Sequence, residues 1–293
     1  MTGLSEQLAA VVENVGASVL RVEGRRIASA VVWSPDVVVT VASAVAGLKE
    51  VQLRGADGTT RPATVVGWDV GSDLAALRVQ GDPLPVPGWS DGEALRVGNI
   101  SLALGRPGPR VEPAWGLLRD LDGAWQSDTG GRIDKWIEVD GSLPRGFPGG
   151  PLVDAAGAVL GVNSRFLSRG GGTVPTVTVR RVVEGLLSGH HSRPGTLGAA
   201  LYPVELEEGG RGLVVLKVDA EGPAAKAGIK QGDILLQLGD LPLAHPGQLL
   251  RWLADGKAGQ EVTVRYRRGG VEHEGPLTFG ERAPVEPAGG CHH

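Results

Sequence analysis

The chain has 293 residues, 41% of them apolar, with mean hydropathy near zero and a net charge of -4, which reads as a soluble globular protein of two unequal domains. No lysine or arginine run is long enough to track phosphates, and no apolar run reaches the ~18 residues of a membrane span, so neither nucleic acid nor membrane is an expected partner. Met1 to Gln7 lack a basic n-region and the single Cys291 excludes an internal disulfide, so a cytoplasmic location is expected.

With Gly 47, Pro 20 and only 4% aromatics, the composition favours short strands and tight turns over long helices. Leu4, Leu8, Val11, Val12 and Val15 recur at helical spacing and predict an opening helix that ends near Gly16. Alternation or apolar runs at 18–23, 27–33, 37–42, 50–54, 63–68 and 74–79 predict six strands of a barrel. A second set, at 100–104, 116–118, 133–139, 152–153, 159–163 and 174–177, predicts a second barrel, closed by a helix over 179–187.

Residues 188–195 are polar and rich in breakers, the best linker in the chain. Beyond them, strands are predicted at 213–218, 234–238 and 262–267, with helices at 223–227 and 246–254 and a hairpin turn at Arg268-Gly269-Gly270. The domain boundaries follow: 1–189 for the two barrels with their N-terminal helix, 190–196 for the linker, 197–282 for the last domain, and a disordered Pro/Gly-rich tail at 283–293.

Four segments carry a resemblance: Val39-Thr40-Val41-Ala42-Ser43-Ala44-Val45, Ser72-Asp73-Leu74-Ala75-Ala76-Leu77, Leu95-Arg96-Val97-Gly98 and Gly146-Phe147-Pro148-Gly149-Gly150-Pro151-Leu152-Val153. In order and spacing they resemble the HtrA (Deg) family of chymotrypsin-like serine proteases with a C-terminal PDZ domain, over roughly residues 5–280. The resemblance implies a mainly β fold, a double six-stranded β-barrel followed by an α+β PDZ domain. It places the general base, its orienting acid and the nucleophile at Ser43, Asp73 and Pro148, of which only Asp73 has the family's residue type.

A serine hydroxyl does not accept a proton near neutrality as imidazole does, a contribution commonly worth ~10²–10⁴ in rate. Pro148 removes both the attacking oxygen and one backbone N–H of the implied oxyanion hole, leaving Gly146 as its other donor. All six histidines lie at 190, 191, 245, 273, 292 and 293, so residues 1–189 contain no imidazole. A Ser–Lys dyad would have to use Lys49 or Lys135, neither of which sits in a recognisable motif.

Asp73 is therefore expected to cap and hydrogen-bond rather than to orient a base, and Gly146, Gly149 and Gly150 to keep backbone angles rather than to hold an anion. In the last domain, Leu197, Gly198, Ala199, Ala200 and Leu201 match the position of the carboxylate-binding loop of such PDZ domains, while Leu249 and Leu253 either line the facing wall or fill the small core. Residues 211–215 and 222–233 also resemble PDZ signatures. Cys291-His292-His293 offers metal ligands without a supporting shell, so no metal and no cofactor are expected.

The expectation is a pseudoprotease that binds peptides or protein C-termini at the PDZ groove and in a vestigial cleft around 146–150 and 161–164, as a homotrimer or beside an active homologue. The rivals are a serine-type endopeptidase with a non-standard mechanism and a purely structural subunit.

Overall fold

The computed structural model describes residues 2–127, 130–167, 171–189, 195–206, 209–244, 249, 253 and 258–281. The described residues divide into two compact units, one within 1–191 and the other within 192–283.

In the first unit, helix α1 (Thr2–Gly16) precedes strands β1 (Val19–Glu23), β2 (Ile27–Ser34) and β3 (Val37–Val41), the short helix α2 (Ala42–Val45), and strands β4 (Glu50–Arg54), β5 (Thr60–Asp69) and β6 (Leu74–Val79). The six strands close into a barrel in the order β1-β2-β3-β6-β5-β4. Strand β3 is buried at every position because its two faces meet different cores. Val38 and Val41 point into the barrel with Leu20, Leu53 and Leu77, while Val37 and Val39 face a layer with Leu74, Val162 and Val179. Where one face meets solvent, as in β4, burial alternates and the sequence shows period two.

The second barrel follows as β7 (Ile100–Gly105), β8 (Glu112–Asp122), β9 (Trp125–Gln126), β10 (Arg132–Ile133), β11 (Trp136–Val139), β12 (Pro151–Asp154), β13 (Val159–Ser164) and β14 (Gly172–Pro175). Its sheet order is β11-β8-β7-β12-β13-β14, with the β9–β10 hairpin apart and with β11 packed against β14 to complete the wall. Leu118, Ile137, Phe147, Leu152 and Leu160 fill it. Val11 and Val15 of α1 lie on Leu102, Leu104, Val153 and Val159, which explains the helical spacing at the start of the chain.

Three expected boundaries differ. Strand β8 extends well beyond 116–118, its outward residues Trp115 and Leu117 being exposed, so no inside–outside contrast marks its length. The expected strand at 133–139 is broken, since Asp134 is drawn to α3 (Thr176–Leu187), its N–H donating to Thr178 Oγ1 at 2.8 Å and Thr178 Oγ1 donating to its carboxylate at 2.9 Å. That helix starts at Thr176 and takes Val177 from the expected strand, because Pro175 stands at its N-cap in extended conformation.

The second unit contains β15 (Gly195–Thr196), β16 (Ala199–Glu205), β17 (Arg211–Val218), α4 (Pro223–Lys226), β18 (Ile234–Leu238), β19 (Leu241–Pro242), β20 (Glu261–Arg268), β21 (Val271–Thr278) and β22 (Gly280–Glu281). Its main sheet runs β16-β17-β18-β20-β21, with β19 on β18 and β15 paired to β22. The pairing takes Gly195 and Thr196 out of the expected linker. Gly269 and Gly270, with φ of 56° and 85°, make the two-residue turn between β20 and β21 that the sequence predicts. Of the helix expected over 246–254, Leu249 and Leu253 are helical and its other residues lie outside the described ones, as do 190–194 and the tail 282–293 with Cys291-His292-His293.

Candidate functional site

The three positions singled out in the barrels fall on elements that meet at the face between them. Ser43 is in α2, directly after β3, and the start of α2 is held by Asp73: the Ala42 N–H donates to the Asp73 carbonyl and the Ser43 N–H to Asp73 Oδ1, both at 2.9 Å. From the second barrel, Ser164 at the end of β13 donates its hydroxyl to Asp73 Oδ2 at 2.6 Å. The carboxylate thus stitches one barrel to the other. Asp73 adopts a φ of 54°, a left-handed conformation that aspartate and asparagine tolerate better than most residues. Ser43 Oγ is buried without a well-aligned hydrogen bond, yet lies close enough to help lower the carboxyl.

Burial pushes the Asp73 carboxyl above its ordinary range, opposed in part by the Ser164 hydroxyl, the Ser43 N–H and the charge of Arg26. A carboxyl raised on folding binds more protons in the folded chain than in the unfolded one across that window. Its contribution to stability is therefore fully present below the unfolded carboxylate pKa and is lost as pH rises through the window. Asp73→Asn, which suits the same φ, is expected to flatten this decline, as read from urea midpoints measured upward from about pH 4.

The loop bearing Pro148 is fixed from several sides. Its Phe147 ring is buried in the second barrel. Gly149 N–H donates to the Asn163 carbonyl at 2.8 Å and Gly150 N–H to the Phe147 carbonyl at 2.9 Å. Ser29 of β2 binds the loop twice, its N–H on the Pro148 carbonyl at 2.8 Å and its hydroxyl on the Gly146 carbonyl at 2.7 Å. Gly149 has a φ of 88°, and a Cβ there would stand 2.0 Å from the Ser29 carbonyl oxygen. Close backbone approach is thus sufficient to require this glycine.

Beside the loop is a cavity of about 340 Å³ in the second barrel, walled by Trp136, Leu143, Pro144, Leu152, Asn163 and Thr173 among others. Asn163 is 3% exposed; its Oδ1 accepts from Thr173 Oγ1 at 3.0 Å, and its Nδ2 is buried without a partner. Lys135 is committed elsewhere, donating to the Asp91 and Gly92 carbonyls at 3.2 and 3.3 Å, while Lys49 is exposed. The part played by Ser29 and by the side chains of Asn163 and Ser164 was not read from sequence. The available signal was polarity at buried positions of otherwise apolar strands, since β13 is buried throughout.

In the second unit the expected loop 197–201 is divided. Leu197 is buried in the core and Gly198 turns the chain at a φ of 63°, whereas Ala199, Ala200 and Leu201 already belong to β16. The Leu197 carbonyl accepts from Ala224 and that of Gly198 from Asp219, both at 2.8 Å, fixing the turn against the start of α4 and the end of β17. The correction follows from residues 199–205 pairing along β17, which draws the first three into the ladder. Strand β16 ends the sheet, so its outer edge is where an added strand would pair. Leu249 and Leu253 pack with Leu197, Leu213 and Leu235 in the core, one of the two roles the sequence left open.

Two six-stranded barrels meeting at Asp73, followed by a separate α+β unit, define a trypsin-like domain joined to a PDZ domain. Residues 28–162 match the family "Trypsin-like peptidase domain" and residues 195–275 the family "PDZ domain". A Rickettsia conorii protein named "Probable periplasmic serine endoprotease DegP-like" is 31% identical over 262 residues, 82% of this chain and 50% of its own length. A Halomonas elongata protein of the same name is 28% identical over 274 residues, 88% of this chain and 57% of its own. The solved structure "HtrA-type protease AlgW with tripeptide" matches with a TM-score of 0.60 and 25% identity, covering 95% of this chain and 98% of that one. The chain belongs to the HtrA-type family and spans about half the length of the curated relatives it matches.

The expected cytoplasmic location is contradicted by the relatives, whose names call them probable periplasmic endoproteases. A single cysteine forms no internal disulfide in any compartment, oxidising or reducing, so Cys291 does not discriminate between them.

Proposed function

We propose that this chain is a catalytically inactive HtrA-type protein that binds peptides or protein C-termini at its PDZ groove and in the cleft beside Pro148. The observation that carries the reading is the absence of any histidine from residues 1–189, together with serine and proline where the family has its base and nucleophile. Asp73 supports it, since its two oxygens serve the fold through Ser43 and Ser164. The domain division at residues 190–196, the assignment of Ala199, Ala200 and Leu201 to the peptide-bearing edge, and assembly with copies of itself or an active relative belong to the same proposal, as does the relatives' periplasmic location.

The second reading, an active serine endopeptidase, is favoured by the relatives' names. Incubating the purified chain with casein and with a fluorophosphonate probe separates the two: neither cleavage nor labelling is expected. On a peptide array, ligands with a free C-terminal carboxylate are expected to bind at least tenfold more tightly than their amides, because backbone N–H groups at such an edge recognise the carboxylate. Casein turnover abolished by one serine substitution would overturn the inactive reading. Folded protein that binds no peptide would leave a structural subunit.

A further inference from the structure

Strand β16 ends the main sheet of the second unit, and no described strand pairs with its outer edge. The main-chain groups on that edge follow from Val215 of β17. Its N–H donates to the Asp233 carbonyl at 2.8 Å and its carbonyl accepts from the Gly232 N–H at 2.9 Å, so both are turned away from β16. Leu201, the residue opposite Val215, therefore presents its own N–H and carbonyl to the open edge, as do Ala199 and Pro203 two positions either way. Pro203 has no N–H, and an edge with its nitrogen outward is where a strand accepts proline. An incoming strand thus finds a donor and an acceptor at Ala199 and at Leu201, and only an acceptor at Pro203.

Leu201, Leu213, Val215 and Leu235 pack toward the core. On the opposite face Tyr202 stands across from Val214 and Val204 across from Gly212, where a Cβ would come within 2.6 Å of Ile234 Cγ2 and 3.4 Å of Leu236 Cδ2. Leu216 is the extra residue of a bulge opposite the step from Ala200 to Leu201. Tyr202 is 60% and Leu216 51% exposed. The solvent side of an antiparallel sheet is ordinarily polar, whereas here an apolar strip runs beside the open edge.

We propose that this edge reads only the last four residues of its ligand, a protein C-terminus, and selects an aromatic side chain at the fourth from the end, laid on Tyr202. The inference rests on the PDZ half of the proposed function and adds the length and sequence of the ligand. With the carboxylate at Gly198 and Ala199 and the ligand antiparallel to β16, its last and third-last residues stand opposite Ala199 and Leu201 and point toward the core. Its second-last and fourth-last stand opposite Ala200 and Tyr202 on the outer face. Beyond the fourth, the ladder meets the donor that Pro203 lacks. The occupant is an extended peptide rather than a second sheet, because the strip adjoins an unpaired edge whose main-chain groups face-to-face packing would leave unused.

The test uses the full chain and isothermal titration calorimetry with an acetylated probe, Gly-Gly-Trp-Leu-Ala-Val, that keeps its free carboxylate. Replacing the tryptophan of the probe with serine is expected to weaken binding about fivefold in the parent chain and hardly at all in Tyr202→Ser. Moving the tryptophan one place toward the N-terminus is expected to cost as much as removing it. Dropping the two glycines is expected to change affinity by less than about twofold, whereas in Pro203→Ala, which returns the edge donor, the full probe is expected to bind about fivefold more tightly than the shortened one. Thermal midpoints near that of the parent check that both variants fold. Equal binding of the tryptophan and serine probes, a preference that survives in Tyr202→Ser, or a parent that gains as much from the glycines as Pro203→Ala does would overturn the inference and leave carboxylate recognition standing. A chain that binds no probe removes both. Self-association in sedimentation that Tyr202→Ser abolishes, with no preference among probes, would give the strip to a second copy of the chain and overturn the inference as well.

Discussion

Ser43→His and Pro148→Ser introduced together are expected to give casein hydrolysis, with each single variant at least about 10³-fold slower and the parent chain inert. The groups of a catalytic triad act as a unit: losing the nucleophile or the base alone costs on the order of 10⁶ in a comparable triad, so one restored member gains little without the other. Pro148→Ser returns both a hydroxyl and a backbone N–H, and the missing donor of an oxyanion hole is typically worth ~10²–10³. On the proposed reading, Asp73 is the group that would orient such an imidazole. Asp73 is held by the Ser43 N–H and the Ser164 hydroxyl at 2.9 and 2.6 Å, and carboxylate oxygens have lone pairs left for an imidazole. A single variant as active as the double one would mean that the chain carries a base elsewhere. A parent that digests casein at the same rate would place catalysis outside these residues altogether.

The sequence disclosed much of this architecture where one physical cause dominated. Strands β1 to β7 were legible because burial of their apolar residues imposes either alternation or a continuous run, as in β4 and β3. The serine at 43 and the proline at 148 were singled out because the segments around them resemble the family's. The contacts that surround these two positions were not legible. Ser164 meets Asp73 across 91 positions and Ser29 meets Gly146 across 117, and hydrogen bonds at such separations leave no periodic trace. Helix α2 has only four residues and depends on Asp73 to satisfy its first N–H groups.

Arg106→Leu is expected to destabilise the first unit by about 3–5 kcal/mol and to lower its thermal midpoint by roughly 10 °C. Arg106 follows β7, is 3% exposed, and spends its guanidinium on three carbonyls: Nε donates to Val19 at 2.6 Å, and the two terminal nitrogens to Pro109 and Gly16 at 2.8 Å each. Burial pushes its pKa down, but a guanidinium stays charged, so the carbonyl oxygens carry the solvation that water would otherwise supply. Gly16 ends α1, where the helix leaves carbonyls unpaired and the dipole favours a cation. Leucine would leave these acceptors buried without donors. The backbone N–H of residue 106, which donates to Ser29 Oγ at 2.8 Å, is unaffected, so the Pro148 loop keeps its support. Loss should therefore concentrate at α1, with amide exchange and proteolysis accelerated over residues 2–16 before the barrels open. Arg106→Lys, which replaces the fork with a single ammonium, is expected to fall between the two. Urea midpoints for all three chains check the order, and equal midpoints for Leu and Arg at position 106 would show that the carbonyls find other donors.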